Sequence, residues 1–278
     1  MVSGTFKHGP ANGYKHTHTI IFLHGRGSNA DEFAGELFES EASADTTQPD
    51  QDLTIPAMSP NIRWVFPQAP ILRSERFDTE MSQWFDMWSV ENPEEQSELQ
   101  RDGLKQSMKT ILDTVHTEEK ILPRDHIFLA GISQRFATAL ATMLAEGQGG
   151  FSGVLGLSSW MPFANKAEKE IANFSQENDG QLRLFTALRS LYGNEDVQDD
   201  AKQASPTTIK ATPIFLAHAL DDNVVPVENG ERMQHILRDA GLTVEWHKYA
   251  DGGHWVNEPE GVDDILRFLK RCMSFSDD

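Results

Sequence analysis

The chain has a single cysteine, Cys272, among 278 residues. No intrachain disulfide can form, which points to a reducing compartment. Long hydrophobic runs are also missing. None approaches the roughly 20 residues that span a bilayer, so no stable membrane insertion is expected. The opening run, MVSGTFKHGPANGYKHTHT, is polar and has no apolar h-region of a signal peptide. Together these features predict a cytoplasmic protein, and the sequon at Asn173 is then not expected to be glycosylated. Positive charge is scarce: 24 basic residues face 43 acidic ones, for a net charge of −19. Such a surface repels phosphate backbones, so nucleic acid is not an expected partner. His16 and His18 alternate, but no H-E-x-x-H or other compact ligand set accompanies them, and no metal site is expected. There is no internal repeat.

What is present is a rhythm. Apolar, β-branched runs at 17–23 (THTIIFL), 62–67 (IRWVFP), 126–131 (HIFLAG), 151–159 (FSGVLGLSS), 212–219 (TPIFLAHA) and 243–249 (TVEWHKY) read as strands. Between them lie helical stripes: Leu104, Met108, Ile111, Leu112 and Val115; the run 137–146, closed by Gly147; and Met233, Ile236, Leu237 and Ala240, ending at Gly241. Val262, Ile265, Leu266 and Leu269 mark a closing helix. The alternation predicts one α/β domain over 1–278, with a mostly parallel sheet covered by helices on both faces. Two stretches break it. Residues 39–60 are acidic and Ser/Thr-rich; residues 164–210 are long and polar, with a weak helical pattern near 182–191. Both read as insertions, the second as a passive excursion or a candidate lid.

The chemistry is carried by ordered fragments. Gly131-Ile132-Ser133-Gln134-Arg135 follows a strand and opens a helix, as a nucleophile elbow requires, although the G-x-S-x-G pattern has arginine at its last position. Asp221 and Asp222 lie just past the strand 212–219, and His254 lies in a glycine-rich loop past 243–249. An acid after one strand and a histidine after the next is the order of an α/β-hydrolase triad. Singly, the aspartates would be a turn or a cap and His254 a loop residue; their joint order favours catalysis. The fragment His24 to Ala30 also fits G-x-G-x-x-A, but no second strand with an acidic end follows it, as a dinucleotide site needs. An oxyanion loop opposite Ser133 fits better.

Taken together, these stretches resemble the acyl-protein thioesterase / phospholipase-carboxylesterase family of α/β-hydrolases. IFLHGRGSNADEF is similar to that family's oxyanion loop, FPQAP to its P-x-A-P segment, QWFDMW to its WFD motif and GISQ to its elbow. LSSWMP, HALDDNVVP and GGHW match its later motifs, so the resemblance runs from about residue 17 to 271. It implies an α/β-hydrolase fold and a serine esterase or thioesterase needing no cofactor. Its substrate would be a small-molecule ester or an acylated protein. The nucleophile would be Ser133, the base His254 and the acid Asp222, chosen over Asp221 because it stands four residues before Pro226. Backbone N–H groups of Arg26 and Gln134 would form the oxyanion hole, and Trp84, Phe85, Trp160 and Met161 would line the substrate site. Arg135, Phe136 and Ala219 depart from the family pattern. The first two stand where small residues are usual, and Arg135 is expected to weaken the elbow, so that Arg135→Gly would raise stability and activity. Two rival functions keep the fold without esterase chemistry: a binding or scaffold protein, and a lyase or cyclase step in a biosynthetic pathway.

Overall fold

The computed structural model describes residues 4–24, 30–44, 51–174, 180–193 and 206–274. Its strands are β1 (Phe6–His8), β2 (His18–Leu23), β3 (Ile62–Phe66), β4 (Ile71–Ser74), β5 (Thr79–Ser82), β6 (Ile127–Ile132), β7 (Gly153–Leu157), β8 (Ile214–Ala219) and β9 (Val244–Tyr249). Its helices are α1 (Ala30–Phe38), α2 (Ile55–Met58), α3 (Gln100–Glu118), α4 (Gln134–Glu146), α5 (Ala164–Phe174), α6 (Gly180–Tyr192), α7 (Pro206–Ala211), α8 (Val227–Asp239) and α9 (Glu260–Ser274). Seven strands form one sheet in the order β1-β3-β2-β6-β7-β8-β9, and β4 and β5 make a separate antiparallel hairpin. Among the described residues, only β1 pairs antiparallel within the large sheet. The strands β2, β6, β7 and β8 are buried along their whole length. Burial on both faces explains why they read as continuous apolar runs rather than as alternating ones.

Two cores flank the sheet. On one side Leu104, Ile111 and Val115 of α3, Phe136 and Leu140 of α4, and Ile236 and Leu237 of α8 pack together. On the other, Phe33 and Leu37 of α1 meet Ile265, Phe268 and Leu269 of α9. Gly147 closes α4 at φ 78°, a left-handed cap that glycine adopts without strain, and its N–H donates to the Met143 carbonyl.

The stretch 164–210 is not simply an excursion over the surface. Leu184, Phe185, Leu188 and Tyr192 put one face of α6 into the core beside α4, joined by Ala167 of α5. Their spacing is helical, but the surrounding polar residues dilute it; tertiary packing supplies the order. Residues 194–205 lie outside the described residues. The stretch 39–60 is tied down at both ends. Glu41 bridges to Thr54, and Ser43 donates from both its N–H and its hydroxyl to Asp263 of α9.

Candidate active site

Strand β6 ends at Ile132 and α4 begins at Gln134, so Ser133 alone makes the turn. Its backbone sits at φ 61°, ψ −136°, a strained conformation for a residue with a Cβ, worth on the order of 1–3 kcal/mol. Neighbours hold it there. The Ser133 N–H donates to the Leu157 carbonyl at 2.8 Å, and its carbonyl accepts from the Ser159 hydroxyl at 2.7 Å. The turn also needs Gly131, where a Cβ would lie 2.8 Å from the Phe136 nitrogen. Phe136 in turn fits because β7 has a glycine opposite: a Cβ on Gly156 would stand 2.5 Å from its ring carbons. The bulky residue after the elbow is thus matched by a missing side chain on the next strand.

Arg135 neither points out to solvent nor disrupts the turn. It is buried, at 9 % exposure, with its guanidinium 5.9 Å from the centre of the Phe33 ring. Phe33 packs edge-on against Trp255, the residue after His254, at 5.5 Å. Arg135 therefore joins, through Phe33, a stack that links α1, the elbow and the histidine loop.

Past β8, the loop carries Asp221 and Asp222. His254, past the neighbouring strand β9, has Nδ1 2.8 Å from Asp222 Oδ2. Asp222 Oδ1 accepts N–H bonds from Val224 and Val225 at 2.9 Å each. Burial alone would raise the Asp222 pKa, but hydrogen bonds from His218, His254 and Val225 outweigh it and hold the carboxyl far below the ordinary carboxylate range. An ionised carboxylate only accepts, so His254 Nδ1 carries the hydrogen and Nε2 is left to take a proton. Asp221 does something else: its Oδ1 accepts the Gly253 N–H at 2.8 Å and so braces the loop just before His254.

The motif stretches meet in one network beside Ser133. The Gln134 side chain accepts the Trp84 N–H at 3.0 Å and donates to the Phe85 carbonyl at 2.8 Å. Trp84 Nε1–H donates to the His24 carbonyl at 3.1 Å, and His24 Nε2 accepts the Ala69 N–H at 2.9 Å. The amide of Gln134 thus clasps the WFD segment, a role its sequence position did not reveal, while its backbone N–H heads α4. Trp84, Phe85, Trp160 and Met161, expected along the substrate site, are 0–2 % exposed and pack in the core. Arg26 lies outside the described residues. His18, half of the alternating pair, is buried and stacks on His126 at 4.9 Å, and among the described residues no cluster of His, Cys, Asp or Glu could hold a metal ion. No helix among them is long and apolar enough to cross a membrane.

A mostly parallel sheet with Ser133, Asp222 and His254 all following its strands at their carboxyl ends has the architecture of an α/β-hydrolase. Comparison with known proteins agrees. The family model described as Phospholipase/Carboxylesterase matches residues 10–178, more than half of the chain, and that of the prolyl oligopeptidase family matches residues 174–276. The chain belongs to the phospholipase/carboxylesterase family of α/β-hydrolases, and it is a hydrolase of the serine class. It is 26% identical over 259 residues to acyl-protein thioesterase 1 of Yarrowia lipolytica, covering 92% of each chain. It is 25% identical to the protein of that name from Gibberella zeae, over 93% of this chain and 92% of the other. Among solved structures, Zea mays acyl-protein thioesterase 2 superposes with a TM-score of 0.66 at 22% identity, over 97% of this chain and 98% of that one.

Proposed function

We propose that the protein hydrolyses carboxylic esters or thioesters of acyl groups through Ser133, Asp222 and His254. The observation that carries this reading is the hydrogen bond of 2.8 Å between His254 Nδ1 and an Asp222 carboxylate held ionised, on loops that leave the same carboxyl edge of the sheet as Ser133 in its strained strand-to-helix turn. In the proposed mechanism His254 Nε2 takes the Ser133 hydroxyl proton as Oγ attacks the substrate carbonyl. The resulting oxyanion rests on the backbone N–H groups of Gln134 and Arg26. His254 then protonates the leaving alcohol or thiol. Water, activated by the same imidazole, releases the acid from the acyl-serine. Each step balances with no redox partner and no external acid.

Similarity to proteins named acyl-protein thioesterase supports acylated protein as one substrate class, beside small esters. The test combines labelling by a fluorophosphonate probe with turnover of p-nitrophenyl esters of graded chain length, acyl-CoA and S-acyl peptides. Labelling of Ser133 and turnover of at least one of these classes are expected. Absence of both refutes the reading and returns the fold to a binding role. Labelling without hydrolysis of any ester or thioester points to acyl chemistry of another kind, such as a lyase or cyclase step.

A further inference from the structure

Asp222 holds more hydrogen bonds than one imidazole requires. Besides the two N–H donors on Oδ1 and His254 on Oδ2, a second histidine approaches it: His218 Nε2 stands 3.3 Å from Oδ2. The same nitrogen is 2.9 Å from the Val225 carbonyl oxygen. Carbonyl and carboxylate oxygens only accept, so Nε2 carries the hydrogen and shares it between them. Nδ1 of His218 is buried and has no hydrogen-bond partner among the described residues, which agrees with the hydrogen residing on Nε2. The ring itself has little freedom. It is 2 % exposed, and a Cβ on Gly230 of α8 would stand 2.5 Å from its Nδ1 and 2.9 Å from Cη2 of Trp246. Glycine at 230 therefore leaves a slot that the imidazole fills.

We propose that His218 is a positioning residue for the reaction: its Nε2–H ties the Val225 carbonyl to Asp222 Oδ2 and fixes the carboxylate in the plane that grips His254. The inference rests on the triad reading above. Two N–H bonds anchor Oδ1, yet the carboxylate can still tilt about that anchor. A donor on Oδ2 removes this freedom, and the remaining lone pair of Oδ2 is directed at His254 Nδ1. His218 touches no reacting atom; it acts through Asp222 alone. Misplacing a catalytic group by about 1 Å can cost roughly a hundredfold in rate.

The test compares the full chain with three variants. His218→Phe keeps a ring in the slot and removes the donor. His218→Gln restores an N–H donor. Gly230→Ala leaves His218 intact but pushes its ring from behind. The measurements are kcat and KM on one short-chain p-nitrophenyl ester, and the far-downfield proton NMR resonance of the His254–Asp222 hydrogen bond. In His218→Phe, kcat is expected to fall roughly tenfold to a hundredfold with KM within about twofold, and the resonance to broaden or vanish. His218→Gln should recover most of both, and Gly230→Ala should repeat the loss in weaker form. A strut that merely supports the loop would lower the melting temperature yet leave kcat and the resonance as they are; that result overturns the proposal. So does failure of His218→Gln to recover either signal while it remains folded. If His218→Phe does not fold, Gly230→Ala decides, and an unchanged kcat and resonance there refute the proposal. The resonance needs no turnover, so loss of the triad reading through absent wild-type hydrolysis and probe labelling is seen separately.

Discussion

Arg135→Gly restores the glycine of the G-x-S-x-G pattern, and the sequence alone favours a gain from it. The structure reverses the sign. The substitution removes a guanidinium lying 5.9 Å from the Phe33 ring centre, a cation–π contact worth about 1 kcal/mol in a partly desolvated setting. It removes a buried aliphatic stem, whose lost packing and residual void cost about 1–2 kcal/mol. Glycine in the first turn of α4 costs about 0.5 kcal/mol more than arginine. The sum is about 3 kcal/mol, or roughly 6–12 °C in melting temperature for a domain of this size. Phe33, deprived of its cation, also loosens the edge-on contact with Trp255 at 5.5 Å, which adjoins the proposed base. A fall of roughly tenfold in kcat/KM is therefore expected. Scanning calorimetry and turnover of a short-chain p-nitrophenyl ester on both proteins check this. A glycine variant that is more stable, or more active, would refute the reasoning.

Ser133→Ala should lower ester hydrolysis by at least about a thousandfold while circular dichroism stays unchanged; near-wild-type turnover of the purified variant would remove the nucleophile assignment. Asp222→Asn should cost more than about ten times as much activity as Asp221→Asn, because Asp222 holds His254 whereas Asp221 only accepts the Gly253 N–H, a task an amide oxygen can still perform. Equal losses in steady-state assays would mean that the two carboxylates share the role. Gly156→Ala should destabilise by about 2–3 kcal/mol through overpacking against the Phe136 ring, measured by urea unfolding, and Phe136→Leu in the same chain should recover much of it. A neutral Gly156→Ala would show that the ring has room to move.

The sequence by itself was enough for the order of the elements and the order of the candidate site. Buried parallel strands leave uninterrupted apolar runs, and their helices leave stripes, so β2, β3, β6, β7, β8 and β9 and helices α3, α4, α8 and α9 could all be read locally. Ser133, Asp222 and His254 were legible because each must follow a strand, and chain order preserves that relation. Local pattern could not reveal the helices α5 and α7 or the packing of α6, because polar residues outnumber the few apolar ones that make contact. Nor could it reveal the hairpin of β4 and β5, whose short, exposed strands carry little alternation.

Relations between distant residues belonged to the tertiary structure alone. That Phe136 fits because position 156 lacks a side chain depends on which strand lies beside β6. That Trp84, Phe85, Trp160 and Met161 are almost fully buried depends on what covers them. The fate of Arg135 shows the difference most directly. A motif states which residue is usual at a position, but the free energy of a substitution is set by what surrounds it. Here Phe33 arrives from a helix about a hundred positions earlier in the chain, and Trp255 from a loop more than a hundred positions later. Only folding brings Phe33 to the guanidinium and Trp255 to the edge of Phe33, where a local departure from the motif becomes a packed contact.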